Sequence, residues 1–124
     1  YLNLDSDSSE KLKNFIKNNN PIILEVKGLD YTKEIFKSFY LSVNYSEQLE
    51  IFRSNLNKIM AFDLKKNFLP HISLAYGNHK INKKKRLISK ITKFIKIIKI
   101  SKIGFVRINS DIKNWKILEI FKLN

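Results

Sequence analysis

Cysteine is absent from the 124-residue sequence. A chain without thiols forms no disulfide, no thiolate zinc site and no cysteine nucleophile. Because proteins without disulfides are typical of the cytoplasm, we expect a cytoplasmic protein. Glycine is scarce as well, with three residues. That number is too small for a glycine-rich loop that binds phosphate through its backbone.

Long apolar runs are also missing. The longest apolar stretch, residues 94–103, is interrupted by Lys96, Lys99 and Lys102, whereas a membrane-spanning helix needs about 18 consecutive apolar residues or more. We therefore expect no membrane partner. Hydrophobic residues still make up 44% of the chain, so the protein should fold around a core. Its length predicts a single domain over residues 1–124, which we expect to be a monomer.

Acidic residues are few, since 11 Asp and Glu stand against 24 Lys and Arg, giving a net charge of +13. Two interpretations stay open. A strongly basic protein is attracted to polyanions such as RNA. Alternatively, the charge reflects composition alone, because Lys, Asn and Ile are abundant together, as in proteins from AT-rich genomes. The few, scattered carboxylates also argue against a metal site around His71 and His79, and we expect no metal.

The spacing of apolar residues predicts strands and helices in the order β-α-β-β-α-β-α-β-β. The connections are short and adjacent strands can pair as hairpins, which favours an α+β fold with a mixed or antiparallel sheet and helices packed against it. The predicted strands are residues 1–4, 21–27, 35–43, 71–76, 97–108 and 115–123. The first predicted helix is capped by Asp7 or Ser8, the second is capped by Ser46, and the third begins at Asn82 with an apolar face running to Ile95.

The segment from Phe68 to Tyr76 is the part of the sequence with the most distinctive chemistry. In a strand, residues two apart point the same way, so His71 and Ser73 should share a face while Ile72 and Leu74 point to the core. An imidazole and a hydroxyl about 7 Å apart along a strand can hold one phosphate. The histidine can also transfer a proton near neutral pH. By itself the pattern is equally compatible with a structural histidine.

The same segment resembles a motif of a known family. FLPHISLAYG is similar to the second H-x-[ST]-hydrophobic motif of the two-histidine (2H) phosphoesterases, and is most similar to the cyclic nucleotide phosphodiesterase branch, which is related to the 2'-5' RNA ligases. In that branch a proline precedes the histidine and a tyrosine follows five residues on. The flanking segments resemble the same branch in order and spacing: EIFKSFYLSV, INKKKRLISKI and KIGFVRINSDIKNWKILEIFKL.

The resemblance implies two similar lobes, each with one H-x-[ST] motif on a central strand, facing each other across a cleft. One histidine would act as general base on water and the other as general acid on the leaving oxygen, without a metal or organic cofactor. The implied substrates are nucleoside 2',3'-cyclic phosphates, RNA ends and ADP-ribose cyclic phosphate. His71 and Ser73 match the catalytic second motif, Tyr76 matches an aromatic that lines the cleft, and Trp115 matches an aromatic of the closing strand.

Two basic segments are candidates for contact with an anion. Lys65 and Lys66 precede the motif closely, and we expect them to steer an anionic substrate. The run Lys83-Lys84-Lys85-Arg86 could bind RNA phosphate. More often such a run is the solvated face of an amphipathic helix, and the following apolar residues, Leu87, Ile88 and Ile91, indicate a buried face here.

The first H-x-[ST] motif of the family is absent from the sequence. Either Tyr1-Leu2-Asn3-Leu4 occupies its place in a degenerate relative, or the motif lies upstream of Tyr1 in an N-terminally incomplete chain, lacking the first strand and helix. We favour the second interpretation, because the helix expected near Ser8 begins too close to Tyr1 and the chain has no initiating methionine. The expected function is hydrolysis of a cyclic phosphodiester by the parent protein; the alternative is a non-catalytic RNA- or nucleotide-binding relative.

Overall fold

A computed structural model describes residues 5–61 and 68–124 and has an α+β fold, as the sequence predicts. None of the described helices has the length and apolar character needed to cross a membrane. The helices are α1 (Ser6–Lys17), α2 (Glu47–Met60) and α3 (Ile81–Lys90), and the strands are β1 (Ile22–Tyr31), β2 (Phe39–Val43), β3 (His71–Ala75), β4 (Ile97–Ile100), β5 (Lys102–Arg107) and β6 (Lys116–Lys122), with a 3-10 turn at Ile112–Asn114.

The strands form two sheets. One has four strands in the order β3-β2-β1-β4, and the other pairs β5 with β6. The β1–β2, β2–β3 and β5–β6 pairs are antiparallel. The described chain also divides into two compact units. The first unit takes residues 5–22, 47–61 and 99–124, and the second takes residues 23–46 and 68–98.

Helix α1 begins two or three residues earlier than the sequence predicts. Its N-cap is Asp5, whose carboxylate accepts a hydrogen bond of 2.7 Å from the Ser8 N–H. This bond satisfies one of the four free N–H groups at a helix start and lowers the pKa of Asp5. Asp7, expected as a possible cap, instead lies in the first turn. The buried face carries Leu12 and Ile16, four residues apart as the periodicity predicts.

The core of the first unit lies between α1, α2 and the hairpin of β5 and β6. The rings of Phe15 and Phe52 pack with centroids 5.2 Å apart, which joins the two helices. Phe121, at the end of β6, is 5% exposed. The Ser9 hydroxyl donates a hydrogen bond of 2.7 Å to the Glu119 carboxylate and so ties α1 to β6.

The core of the second unit is one face of the four-stranded sheet. Val26 pairs with Val43, and Leu29 pairs with Leu41. Cross-strand partners point to the same face of a sheet, so these side chains form one apolar layer. Ile72 pairs with Leu41 from the other side and extends this layer onto β3.

The predicted strand 35–43 is wrong in its first half. Residues 33–38 form a bend and turn, closed by a hydrogen bond of 3.2 Å from the Thr32 N–H to the Ser38 carbonyl, and Ile35 and Phe36 are exposed. The predicted alternation is also lost within β2. Phe39, Tyr40 and Leu41 are buried consecutively because β2 lies between β1 and β3.

Helix α3 ends at Lys90, whereas the sequence predicts a helical face running to Ile95. Ile91 already has an extended backbone, and Ile95 is exposed. The basic run is also not a uniformly solvated face, since Lys84 is 3% exposed. Its ammonium donates a hydrogen bond of 2.8 Å to the Thr32 carbonyl, which compensates for burial of the charge.

The strand predicted over residues 97–108 is divided at Ser101 into β4 and β5, which belong to different sheets. The Ser101 carbonyl accepts a hydrogen bond of 2.9 Å from the Leu123 N–H, so the chain changes partner at this residue. The closing strand begins at Lys116, one residue later than predicted. The break at Ser101 arises from tertiary pairing, so the continuous apolar pattern of the sequence does not indicate it.

Candidate functional site

His71 and Ser73 lie on β3, as the sequence predicts. In the described part of the sheet, β3 stands at one end of the strand order, whereas the family resemblance implies a central strand. Its neighbour β2 presents Ser42 opposite His71 and Tyr40 opposite Ser73. Because cross-strand partners share a face, these four side chains lie together on the face of the sheet opposite the apolar core.

Leu74 does not point to the core, contrary to the sequence prediction. Tyr40 pairs with Ser73 and Phe39 pairs with Ala75, so the register shifts by one residue between them. Leu74 is the extra residue on β3, and it is 49% exposed. Such a β-bulge interrupts the alternation of side chains, which explains why the two-residue rule fails immediately after Ser73.

The imidazole of His71 is oriented by a backbone carbonyl. Its Nδ1 lies 2.9 Å from the carbonyl oxygen of Leu69. A carbonyl oxygen only accepts, so this bond places a proton on Nδ1. In the neutral ring, Nε2 then carries the lone pair and can accept a proton; in the charged ring, Nε2 can donate one. The side chain is exposed, so Nε2 is open to a ligand.

Two serine hydroxyls on this face differ in what they bind. The Ser42 hydroxyl donates a hydrogen bond of 3.1 Å to the Gly28 carbonyl and is therefore used within the sheet. The half-buried Ser73 hydroxyl makes no hydrogen bond to another described residue. Of these two serines, Ser73 is thus the one whose hydroxyl can donate to a bound anion.

Tyr40 packs beside His71. The residue is 7% exposed, and its ring makes a T-shaped contact with the imidazole, with centroids 5.4 Å apart and planes inclined at 69°. Burial raises the pKa of Tyr40, and the nearby carboxylate of Asp30, its partner on β1, raises it further. The phenol therefore stays protonated through the physiological range.

A cation that the sequence did not predict adjoins the same ring. The Lys37 ammonium lies 4.9 Å from the centroid of Tyr40, within the range of a cation–π contact. Lys37 and Tyr40 are three residues apart at the point where the turn enters β2. The sequence predicts that both residues belong to one continuous strand. It therefore gives no indication that the Lys37 ammonium lies over the Tyr40 ring.

The segment after β3 is a closed turn. Gly77 has a positive φ of 107°, and its N–H donates a hydrogen bond of 2.9 Å to the Ile35 carbonyl. The imidazole Nε2 of His79 lies 2.8 Å from the carbonyl oxygen of Tyr76, so this exposed histidine forms a hydrogen bond within the turn. Among the described residues, no group of three His, Cys, Asp or Glu side chains could hold a metal ion.

The remaining predicted residues lie at the end of β3, in the first unit or outside the described residues. Tyr76 follows β3 directly and is half-buried. Trp115 belongs to the first unit, immediately before β6, and its indole N–H donates a hydrogen bond of 2.8 Å to the Asn109 carbonyl. Lys65 and Lys66 lie outside the described residues, as do residues 1–4.

No protein-family model matches the sequence, and no curated protein matches it. The arrangement that bears on function is His71, Ser73 and Tyr40 on one sheet face, with the Lys37 ammonium over the Tyr40 ring.

Proposed function

We propose that this chain carries one half of the active site of a 2H phosphoesterase, which hydrolyses a cyclic phosphodiester such as a nucleoside 2',3'-cyclic phosphate or an ADP-ribose cyclic phosphate. The observation that carries the proposal is the pairing of His71 and Ser73 on one face of β3, with the His71 ring fixed through Nδ1 to Leu69. This bond leaves Nε2 free for proton transfer.

The chemistry divides between these two side chains. The Ser73 hydroxyl donates a hydrogen bond to a non-bridging phosphate oxygen and holds the phosphorus near His71. Nε2 of His71 then takes a proton from water or gives one to the leaving oxygen, according to the charge of the ring. Neither step requires a metal or an organic cofactor.

Two features of the fold support the same proposal. The described chain is α+β and divides into two compact units, and the family resemblance implies two lobes.

The end position of β3 among the described strands departs from the family pattern. The sequence also contains a single H-x-[ST] segment. General acid–base groups contribute roughly 10²–10⁴-fold each, so we expect the 124-residue chain to bind the phosphate and turn it over very slowly.

The test is a titration of the labelled chain with a nucleoside 2',3'-cyclic phosphate, followed by NMR of the histidine side chains and of phosphorus. We expect the His71 signals to shift and the His79 signals to stay. His71→Ala and Ser73→Ala should each weaken binding, whereas His79→Ala is the matched control. Binding that is unchanged in His71→Ala, or shifts confined to His79, would overturn the assignment.

The second candidate function is non-catalytic binding of RNA or a nucleotide. The net charge of +13 and the single motif favour it. It predicts salt-sensitive RNA binding that His71→Ala leaves intact. A competition with the cyclic nucleotide separates cleavage, binding without cleavage, and the absence of both.

A further inference from the structure

We propose that Lys37 is a phosphate-binding residue of the His71 site, held in place by the ring of Tyr40. This inference rests on the proposed function and names the cation that the His-x-Ser pair lacks. A phosphate bound by one hydroxyl and one imidazole still carries charge that a nearby ammonium can balance. The Lys37 ammonium and the His71 ring both contact Tyr40, at 4.9 and 5.4 Å from its centroid.

Thr32 holds the backbone around Lys37 through two hydrogen bonds and is itself held by a third. The Thr32 hydroxyl donates a hydrogen bond of 2.5 Å to the Lys37 carbonyl, and the Thr32 N–H donates one to the Ser38 carbonyl. The Thr32 carbonyl in turn accepts the ammonium of buried Lys84. The turn that bears Lys37 is therefore anchored, so less ordering is needed when an anion binds.

Two carboxylates and one ammonium lie around the Tyr40 ring, and the ammonium is the group among them that can attract an anion. The carboxylates of Asp30 and Glu34 both raise the pKa of Tyr40, and Asp30 lies opposite Tyr40 on β1. The Lys37 ammonium lies over the Tyr40 ring itself. No salt bridge joins Lys37 to an acidic group among the described residues, so its charge is available to a ligand.

The experiment compares Lys37→Gln with Lys33→Gln, using inorganic phosphate as the probe and the His71 side-chain signals as the readout. Lys33 is an exposed lysine in the same turn, so both variants lose one charge. We expect Lys37→Gln to weaken phosphate binding roughly tenfold, the effect of losing one charge-assisted hydrogen bond. Lys33→Gln should stay within about twofold of the unmodified chain.

Tyr40 provides a second pair of variants. Tyr40→Phe keeps the ring and should keep the affinity, because a phenyl ring also attracts an ammonium. Tyr40→Leu removes the ring and should weaken binding as Lys37→Gln does. Equal affinity of the Lys37 and Lys33 variants would overturn this inference while the proposed function stands. His71 signals that do not respond to phosphate in the unmodified chain would overturn both. If Tyr40→Leu does not fold because Tyr40 is buried, the comparison of Lys37→Gln with Lys33→Gln decides the inference alone.

Discussion

At the residue scale, the local sequence predicts that His71 lies on a strand, whereas the strand register determines which side chains surround it. Pro70 and the apolar residues around it indicate a strand with His71 and Ser73 on one face. That expectation needs no tertiary information, because alternation is a property of a single strand. Tyr40 and Lys37 join the site only through the pairing of β2 with β3, which no pattern within either segment specifies.

The raised pKa of Tyr40 predicts a loss of stability in alkali. In the unfolded chain a tyrosine has a pKa of about 10, whereas burial keeps Tyr40 protonated at higher pH in the folded chain. The contribution is therefore fully present below pH ~10, and the free energy of unfolding falls as pH rises through the folded pKa. Tyr40→Phe cannot ionise, so its unfolding free energy should fall less steeply above this pH.

Denaturant unfolding at a series of alkaline pH values measures this difference. The chain has five tyrosines, so the comparison of the unmodified chain with Tyr40→Phe isolates one of them. Parallel loss of stability in the two proteins would show that Tyr40 keeps an ordinary pKa.

At the scale of elements, α3 shows how a charged residue can replace an apolar one in the packing of a helix. The sequence assigns the buried face to Leu87 and its apolar neighbours, yet Leu87 is 40% exposed and Lys84 is 3% exposed. The helix turns Lys84 inward because the Thr32 carbonyl needs a donor and the ammonium reaches it. Hydrophobic periodicity does not take such a hydrogen bond into account, so the sequence could not predict that Lys84 lies on the buried face of α3.

Lys84→Ala should therefore destabilise the second unit. The variant removes the buried stem and leaves the Thr32 carbonyl without its donor, with an expected loss of about 2–3 kcal/mol in the free energy of unfolding. Lys85→Ala, on the exposed side of the same helix, should change it by less than about 0.5 kcal/mol. Chemical denaturation measures both, and equal stabilities would show that the Lys84 bond contributes nothing.

The division of residues 97–108 into two strands marks a second limit of local reasoning. Every residue there except Ser101 and Gly104 is apolar or basic, yet at Ser101 the chain passes from one sheet to the other. Its carbonyl binds the Leu123 N–H from the C-terminal end of the chain. A break that depends on a partner more than twenty residues away leaves no local signal.

At the scale of the whole molecule, the net charge of +13 predicts a background attraction to polyanions. Binding of single-stranded RNA should weaken steeply with salt, because neutralised phosphates release counterions. We expect His71→Ala to leave this slope unchanged while it weakens cyclic nucleotide binding. Fluorescence anisotropy at several salt concentrations measures the slope. An RNA affinity that is insensitive to salt, or is lost in His71→Ala, would contradict this separation of charge from site.

The α+β class and most elements could be predicted because amphipathic periods and turn residues are local. The cluster around Tyr40 could not, because a bulge at Leu74 and a turn over residues 33–38 set which side chains meet. The sequence therefore predicts that His71 and Ser73 share a face of β3, and it misses the cation and the ring beside them.

The two compact units are interleaved along the chain, and this has a consequence for how the protein is made. The first unit joins residues 5–22 to residues 99–124, across the whole of the second unit. Contacts between distant segments slow folding, since a long loop must close before they form. The residues of the second unit all precede residue 99, so on the ribosome the sheet face bearing His71 can form while the first unit still waits for its last two strands.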